Sequence, residues 1–396
     1  MISYNDALDI ILENTPLAAT EATAPVGGRF AATGVESPIN VPGFANSAMD
    51  GYAVCCATDG HEGAKLRVLG MVTAGMAAPT GNAEPGSAWE IMTGAPVPDG
   101  YDGVIPVERT GRDGDTVTLN QDVKSGANVR LAGEDFNQGE TVLQPGEKLT
   151  AETVMGLAAI GVNSIEAYRQ PRVGIVTTGN ELSDKEQKLG AGMIHDSNRP
   201  FLENAVARAG AVLAESCSVV DEKAALQAKV AETAKSCDII LTTGGVSAGR
   251  LDFVPSALAE LGAEILFHKV AIRPGKPVLF AKLPDGTLVF GLPGNPVAVA
   301  ACFRFFVTAA IRRMQGQSPE TFEAAFLETE HSKRAELRFF GKAERYIDDQ
   351  GKQCVRVLPG QQSFRIQPLM KSNCWVIIEE NRDIIAAGET VRIAPL

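Results

Sequence analysis

The sequence runs to 396 residues, 45% hydrophobic and 21% charged, with a formal net charge of −12 at pH 7. That length exceeds what one hydrophobic core supports and predicts roughly two to four domains, while the composition excludes a disordered chain. The acidic balance excludes nonspecific nucleic-acid binding, which needs a basic face, and no run approaches the roughly 18 apolar residues of a membrane span.

The chain opens Met1-Ile2-Ser3-Tyr4-Asn5-Asp6, without the basic start and apolar stretch of a signal peptide, which predicts a cytoplasmic protein. Ser3 and Asp6 then introduce an apolar-periodic stretch, Ala7, Leu8, Ile10 and Ile11, that reads as a first helix with a capping-box start. From about Thr23 to Lys148 the sequence is rich in Gly and Pro, with short β-prone runs such as Leu66–Leu69 and Gly103–Val107. Thr150 reads as the N-cap of a short helix, Ala151 to Ile160, closed by Gly161.

After Pro171 strands and helices alternate. Val173–Val176, Val212–Val219 and Asp238–Thr242 read as strands; Asn198–Ala209, Glu222–Lys235 and Val254–Leu261 read as helices. Val278–Leu283 and Leu288–Leu292 are further strands before a helix from Val297. Beyond about Gln317 helical periodicity fades, and Asp348-Asp349-Gln350-Gly351 links two strand-like runs. The pattern predicts a doubly wound α/β domain between a β-rich region and a small C-terminal β domain.

Seven cysteines include no Cys-x-x-Cys pair, and adjacent Cys55-Cys56 read as small apolar residues. His61, His195, His268 and His331 share no ligand spacing, so zinc chemistry is not expected.

Ligands of open α/β sheets collect at the carboxyl ends of the strands. Two loops there stand out, Thr242-Thr243-Gly244-Gly245-Val246-Ser247-Ala248-Gly249 and Gly291-Leu292-Pro293-Gly294-Asn295-Pro296. Each lies between a strand and a helix, where backbone N–H groups can close around an anion. Either alone is explained as a tight turn using Gly at positive φ and Pro at a helix start; two in one domain favour a phosphate-bearing ligand. Neither matches the P-loop or dinucleotide fingerprint. Lys269 and the rigid run Arg273-Pro274-Gly275-Lys276-Pro277 place cations where an oxyanion could be met, although Lys and Arg are mostly solvated charges. Asp50, Asp135, Glu181, Asp221 and Asp252 stand where strands or turns end. Each taken singly is a cap or turn former, and spacing does not unite them.

The runs Asn46-Ser47-Ala48-Met49-Asp50-Gly51-Tyr52-Ala53, Thr93-Gly94-Ala95-Pro96, Val129-Arg130 with Gly133-Glu134-Asp135, Thr178-Gly179-Asn180-Glu181-Leu182 and Asp196-Ser197-Asn198-Arg199, with both glycine loops, resemble the molybdopterin molybdenumtransferases. The resemblance covers essentially the whole chain. It implies a multi-domain α/β fold: a discontinuous helical domain (1–20 with 40–46 and 135–170), an inserted β-rich domain (21–39 with 47–134), a doubly wound molybdopterin-binding α/β domain (171–317) and a C-terminal β-barrel-like domain (318–396).

The reaction implied is magnesium-dependent insertion of molybdenum from molybdate into adenylyl-molybdopterin, releasing AMP. By motif position the resemblance gives Asp50, Asp135, Asp252, Lys269 and Arg273 catalytic roles. It assigns substrate binding to Thr93, Arg130, Thr178, Gly179, Ser197, Gly244, Gly245, Ser247, Lys276, Pro293, Gly294 and Asn295. Magnesium falls to Glu181 and Asp221, oxygen ligands suited to a hard cation. Lys269, Arg273 and Lys276 would meet molybdate, a tetrahedral dianion. A homodimer is implied, with its site between the α/β domain of one subunit and the inserted domain of the other. Transient contact with molybdopterin adenylyltransferase and acceptor molybdoenzymes is a further expectation.

Two positions depart from the family pattern: Glu90 stands where an Arg is common before Thr93-Gly94-Ala95-Pro96, and Arg273 replaces a common Lys, changing the shape of the charge. The stretches Arg334–Arg345 and Gln361–Arg365 match weakly, and no site residue is assigned there. Two rivals stay open: the enzyme that adenylylates molybdopterin, which shares the α/β core but lacks the flanking domains, and a non-catalytic scaffold on the same architecture.

Overall fold

The structure, a computed structural model, describes residues 1–183, 189–245 and 253–396. Its centre is a six-stranded sheet in the order Val212–Val219, Arg172–Thr178, Ile239–Thr243, Leu288–Leu292, Leu279–Lys282, Glu264–His268. The first four strands run parallel; Leu279–Lys282 runs against its neighbours on both sides. Helices cover both faces, so the strands are apolar on both. Val173, Ile175, Ile239 and Leu241 pack beneath the helix Asn198–Arg208 and the helical run from Pro296 to Met314. Val176 and Ile240 pack beneath Lys223–Ala234 and Val254–Glu260.

The register fixes which loops share an edge. His268 lies opposite Leu279, Leu279 opposite Gly291, Gly291 opposite Thr242, and Thr242 opposite Val176. The five parallel-running strands therefore end on one edge, where the sixth begins.

The first helix, Tyr4–Asn14, starts as its sequence predicts: Ser3 Oγ accepts from Asp6 N and the Asp6 carboxylate accepts from Ser3 N. It buries Tyr4, Ala7 and Ile11 in the same core as the α/β domain. Next in the chain, Thr20–Thr23 pairs with Ile165–Tyr168 and Val35–Glu36 with Thr141–Leu143, around a small core that includes Leu149, Leu157 and Ile160. Thr150 caps the helix Ala151–Ala159, and Gly161 follows at φ 77°.

The inserted region forms its own six-stranded sheet, in the order Gly103–Pro106, Gly51–Val54, Ser87–Ile91, Lys65–Val72, Thr116–Leu119, Thr110–Asp113. At the C-terminal end Arg338–Ile347, Gln353–Val357, Glu323–Leu327, Thr390–Pro395 and Cys374–Ile378 pair in turn, and the last returns to the first, closing a five-stranded barrel. Asp348–Gly351 turns its first hairpin.

Several elements have no counterpart in the sequence reading, among them the sixth strand of the central sheet, Glu264–His268, and the short helix Cys56–Asp59. Ile366–Lys371 is a six-residue helix, less than two turns and too short for a 3.6-residue period to register. Phe303–Val307 is a π-turn within the helical run; it turns Phe303, Phe305, Phe306 and Val307 all into the core, with Phe305 stacked on Phe340 at 3.8 Å. No helix among the described residues is long and apolar enough to cross a membrane.

Candidate active site

The carboxyl edge of the central sheet collects the loops that contain most of the predicted residues. Thr178 ends its strand buried, and its hydroxyl donates to the Thr243 carbonyl at 3.2 Å. Gly244 follows Thr243 at φ 89°, so close to Thr178 that a Cβ would sit 2.8 Å from the Thr178 carbonyl oxygen. That approach and that backbone conformation both require glycine. Gly244 N donates to Leu292 O at 3.3 Å, tying the first glycine loop to the second.

On the second loop Pro293 is buried while Gly294 and Asn295 are exposed. Asn295 holds the N-cap position of Pro296–Cys302, with Pro at the start of the helix. The Gly294 carbonyl accepts from Asn198 Nδ2 at 2.8 Å, which brings the start of the helix Asn198–Arg208 to the same edge.

The turn before that helix is organised by Asp196. One of its carboxylate oxygens accepts from Asn198 N and Arg199 N, and the other from the Thr177 hydroxyl at 2.9 Å. Ser197 itself is exposed and makes no side-chain cap bond. Asn198 Oδ1 and Thr242 Oγ1 are buried polar atoms without a hydrogen-bond partner among the described residues. Such atoms are rare in folded proteins and point to a ligand or water at this edge.

Glu181 and Asp221 follow neighbouring strands. Asp221 N donates to Asn180 Oδ1 at 3.2 Å, holding the two turns together. The Glu181 carboxylate folds back over Gly179, both oxygens 2.9 Å from where a Cβ would stand. Among the described residues no cluster of three or more His, Cys, Asp or Glu forms a cation cage. Magnesium needs fewer protein ligands, binding through one or two carboxylates together with substrate phosphates and water, so this pair of turns suits it. Ser247 and Asp252 lie outside the described residues.

Lys269, Arg273 and Lys276 belong to the loop that follows Glu264–His268, on the same edge. At about 4.8 Å per strand, this loop stands roughly 20 Å across the sheet from the strand before Glu181. It is heavily braced. Ile2 N donates to Lys269 O, Ala271 N to Ile2 O and Val270 N to Lys276 O; Ile272–Arg273 pairs with Arg338–Phe339 of the barrel. Gly275, at φ 106°, lies against Cys302 Sγ. Arg273 and Lys276 are exposed. His331 of the C-terminal domain stacks on Phe339 at 4.9 Å, and burial, then the Arg273 charge, lower its pKa.

The barrel therefore reaches the site. Val297 N, at the start of the helix after the second glycine loop, donates to Ser363 O at 3.0 Å.

A second group forms on the inserted domain. The short strand Asn46–Ser47 has Gly94–Pro96 on one side and Val129–Arg130 on the other: Ser47 N donates to Ala95 O, and Arg130 lies opposite Asn46. Asp50 accepts at one oxygen from both Thr93 N and Thr93 Oγ1, each at 2.6 Å, and these bonds lower its pKa. Arg130 and Asp135 are exposed beside them, with Asp135 N bonded to Val41 O. Glu90 pairs with Arg112 at 2.9 Å, which also reaches the Tyr52 hydroxyl. No hydrogen bond or ion pair among the described residues joins Asp50, Thr93 or Arg130 to the strand-end loops.

Cavities of about 490, 500 and 650 Å³ lie elsewhere, around Arg312. Sequence reasoning passed over Asn180, Asp196, Asn198 and Ser363. The sequence does hold a signal for Asp196 and Asn198, an Asp two residues before a helix; Ser363 acts through its carbonyl and leaves none.

Residues 2–161 match the MoeA N-terminal region (domain I and II), 174–313 a probable molybdopterin binding domain, and 339–396 the MoeA C-terminal region (domain IV). The chain is 36% identical to the molybdopterin molybdenumtransferase of Haemophilus influenzae, over 100% of this chain and 98% of that protein. It is 32% identical to the one from Synechococcus elongatus, over 100% of both. Among solved structures it is similar to the molybdopterin biosynthesis moeA protein of Pyrococcus horikoshii, with a TM-score of 0.85, 27% identity and 100% of both chains covered.

Proposed function

The chain belongs to the molybdopterin molybdenumtransferases, and from that premise we propose that it inserts molybdenum from molybdate into adenylyl-molybdopterin in a magnesium-dependent reaction that releases AMP. The observation that carries this reading is the tying of the strand-end loops into one edge, through Thr178 to Thr243, Gly244 to Leu292 and Asn198 to Gly294, with the cationic loop 269–276 on the same edge.

The pterin and its phosphates lie along this edge, held by Thr178, Gly179, Ser197, Gly244, Gly245, Ser247, Pro293, Gly294 and Asn295. A span of roughly 20 Å accommodates an extended substrate whose two ring systems are joined by a diphosphate. Lys269, Arg273 and Lys276 donate to molybdate, each charge-assisted hydrogen bond contributing about 1.5–3 kcal/mol. Arg273 can offer two parallel donors to one tetrahedral anion, which a lysine cannot.

Glu181 and Asp221 would hold magnesium. When bound, that ion neutralises charge on the diphosphate and on the departing AMP. Asp252 is placed in the same catalytic group by its motif position.

Asp50, Thr93, Arg130 and Asp135 act in a homodimer, completing the site of the opposite subunit. What supports this is that no hydrogen bond or ion pair among the described residues joins Asp50, Thr93 or Arg130 to the strand-end loops, together with the firm hold of Thr93 on Asp50. The two Thr93 bonds lower the Asp50 pKa and fix the orientation of its carboxylate. We place the enzyme in the cytoplasm, with transient contacts to molybdopterin adenylyltransferase and to acceptor molybdoenzymes.

The test is AMP release from purified protein given adenylyl-molybdopterin and magnesium, with and without micromolar molybdate. Molybdate-dependent release is expected. Adenylylation of molybdopterin from ATP without molybdate would move the chain to the preceding enzyme's activity, and tight pterin binding with no release would leave a scaffold.

A further inference from the structure

Lys342 is 1% exposed, in the middle of the barrel strand Arg338–Ile347. A buried lysine normally has a carboxylate partner, but among the described residues none pairs with this one. Its ammonium instead donates to three backbone carbonyls of one loop: Gly360 at 2.7 Å, Gln362 at 3.0 Å and Arg365 at 3.2 Å. Those bonds use all three of its donors. Burial, then the Arg365 charge, push its pKa down to about 8.

Gln361 grips the same loop from the opposite direction. Its Oε1 accepts from Lys342 N, and its Nε2 donates to Lys342 O and Leu358 O. Between the clamped carbonyls lies Ser363, whose own carbonyl accepts from Val297 N at the start of the helix after Gly291–Pro296. Three residues back along that loop, Gly294 receives the bond from Asn198. Hydrogen bonds linked by short stretches of backbone therefore lead from a barrel-core ammonium to the loop that gathers the substrate edge.

We propose that Lys342 is a positioning residue of the transferase: by clamping 360–365 through three carbonyls it fixes Ser363 O against Val297 N, and so sets the second glycine loop for substrate. The proposal rests on the function proposed above only for its kinetic consequence; the mechanical coupling stands on the geometry. A bare structural requirement for charge in the barrel does not explain why all the donors go to one loop. A hydrophobic residue of similar length would fill the space without leaving an ammonium to be desolvated.

The experiment compares wild type, Lys342→Met and Gln361→Ala by hydrogen exchange and by steady-state AMP release. Gln361→Ala loosens the same loop without disturbing a buried charge and serves if Lys342→Met does not fold. Exchange is expected to quicken both in 358–366 and at 293–299, while the barrel strands Cys374–Ile378 and Thr390–Pro395 keep their protection. KM for adenylyl-molybdopterin should rise about tenfold in Lys342→Met, the effect of losing one hydrogen bond's worth of binding, with kcat within about twofold and a smaller KM rise in Gln361→Ala. Faster exchange confined to 358–366, or an unchanged KM in a folded variant, overturns the proposal. If wild type releases no AMP, the transferase reading fails, and exchange at 293–299 still decides whether the clamp governs the glycine loop.

Discussion

Thr93 donates both its backbone N–H and its hydroxyl to a single oxygen of Asp50, each at 2.6 Å. The two bonds favour the charged carboxylate, the hydroxyl most of all, and lower its pKa from 3.8. A depressed folded pKa means that this group's contribution to stability is complete above the unfolded value and is lost as the pH falls through the folded one. Thr93→Val keeps the N–H and deletes the hydroxyl. The Asp50 carboxyl should then titrate at higher pH than in the wild type, by carbon NMR, with kcat/KM reduced about tenfold. An unmoved titration would show that the hydroxyl does not hold the carboxylate in solution.

Asn198 carries the link between the helix Asn198–Arg208 and the second glycine loop. Asn198→Ala removes that donor and should cost about 1–2 kcal/mol of stability in denaturant titration, with weaker pterin binding. Asn198→Asp should be worse than alanine, because it turns a carboxylate oxygen towards the Gly294 carbonyl and offers no donor. Equal stability for the two variants would remove the Gly294 bond from this account.

How much of this arrangement was legible in the sequence depends on how local each signal is. Ile239–Thr243 is readable because both its faces are buried and five β-prone residues stand in a row. The glycine loops are readable because Gly and Pro punctuate them between strand and helix. The role of Asn198 is invisible in the sequence because its partner Gly294 is 96 positions away. Lys342 reads as an exposed charge until the barrel closes around it, and Ser363 contributes a carbonyl that any residue would possess. The gathering of Asp50, Thr93 and Arg130 was legible only through resemblance: the residues come from three separate segments, joined by the two-residue strand Asn46–Ser47.

Two glycines test backbone geometry, one near the middle of the edge and one in the loop after its last strand. A Cβ on Gly244 would meet the Thr178 carbonyl at 2.8 Å, and one on Gly275 would meet Cys302 Sγ at 2.6 Å, both from left-handed backbone. Neither contact is with the free end of a flexible side chain. Gly244→Ala and Gly275→Ala should each cost about 1–3 kcal/mol. Their substrate effects should separate: Gly244→Ala weakens binding of the pterin, measured without molybdate, whereas Gly275→Ala raises the molybdate concentration needed for half-maximal AMP release. A reversed pattern would exchange the roles of the two loops.

The carboxylates at Glu181 and Asp221 make a prediction for metal dependence. Their turns are joined by the Asp221 N to Asn180 Oδ1 bond, so removing magnesium with a chelator should abolish AMP release and leave the thermal midpoint unchanged. Glu181→Gln and Asp221→Asn each keep the shape of the side chain and remove one negative charge. If both oxygens face the same ion, each variant should raise the magnesium concentration for half-maximal activity at least about tenfold, the size of one lost charge-assisted contact. Excess magnesium should recover most of the rate. Losing both charges should cost less than the sum of the single losses, because two ligands of one ion do not act independently. Additive losses that no amount of magnesium restores would place the two carboxylates in separate roles, with at least one acting on substrate directly.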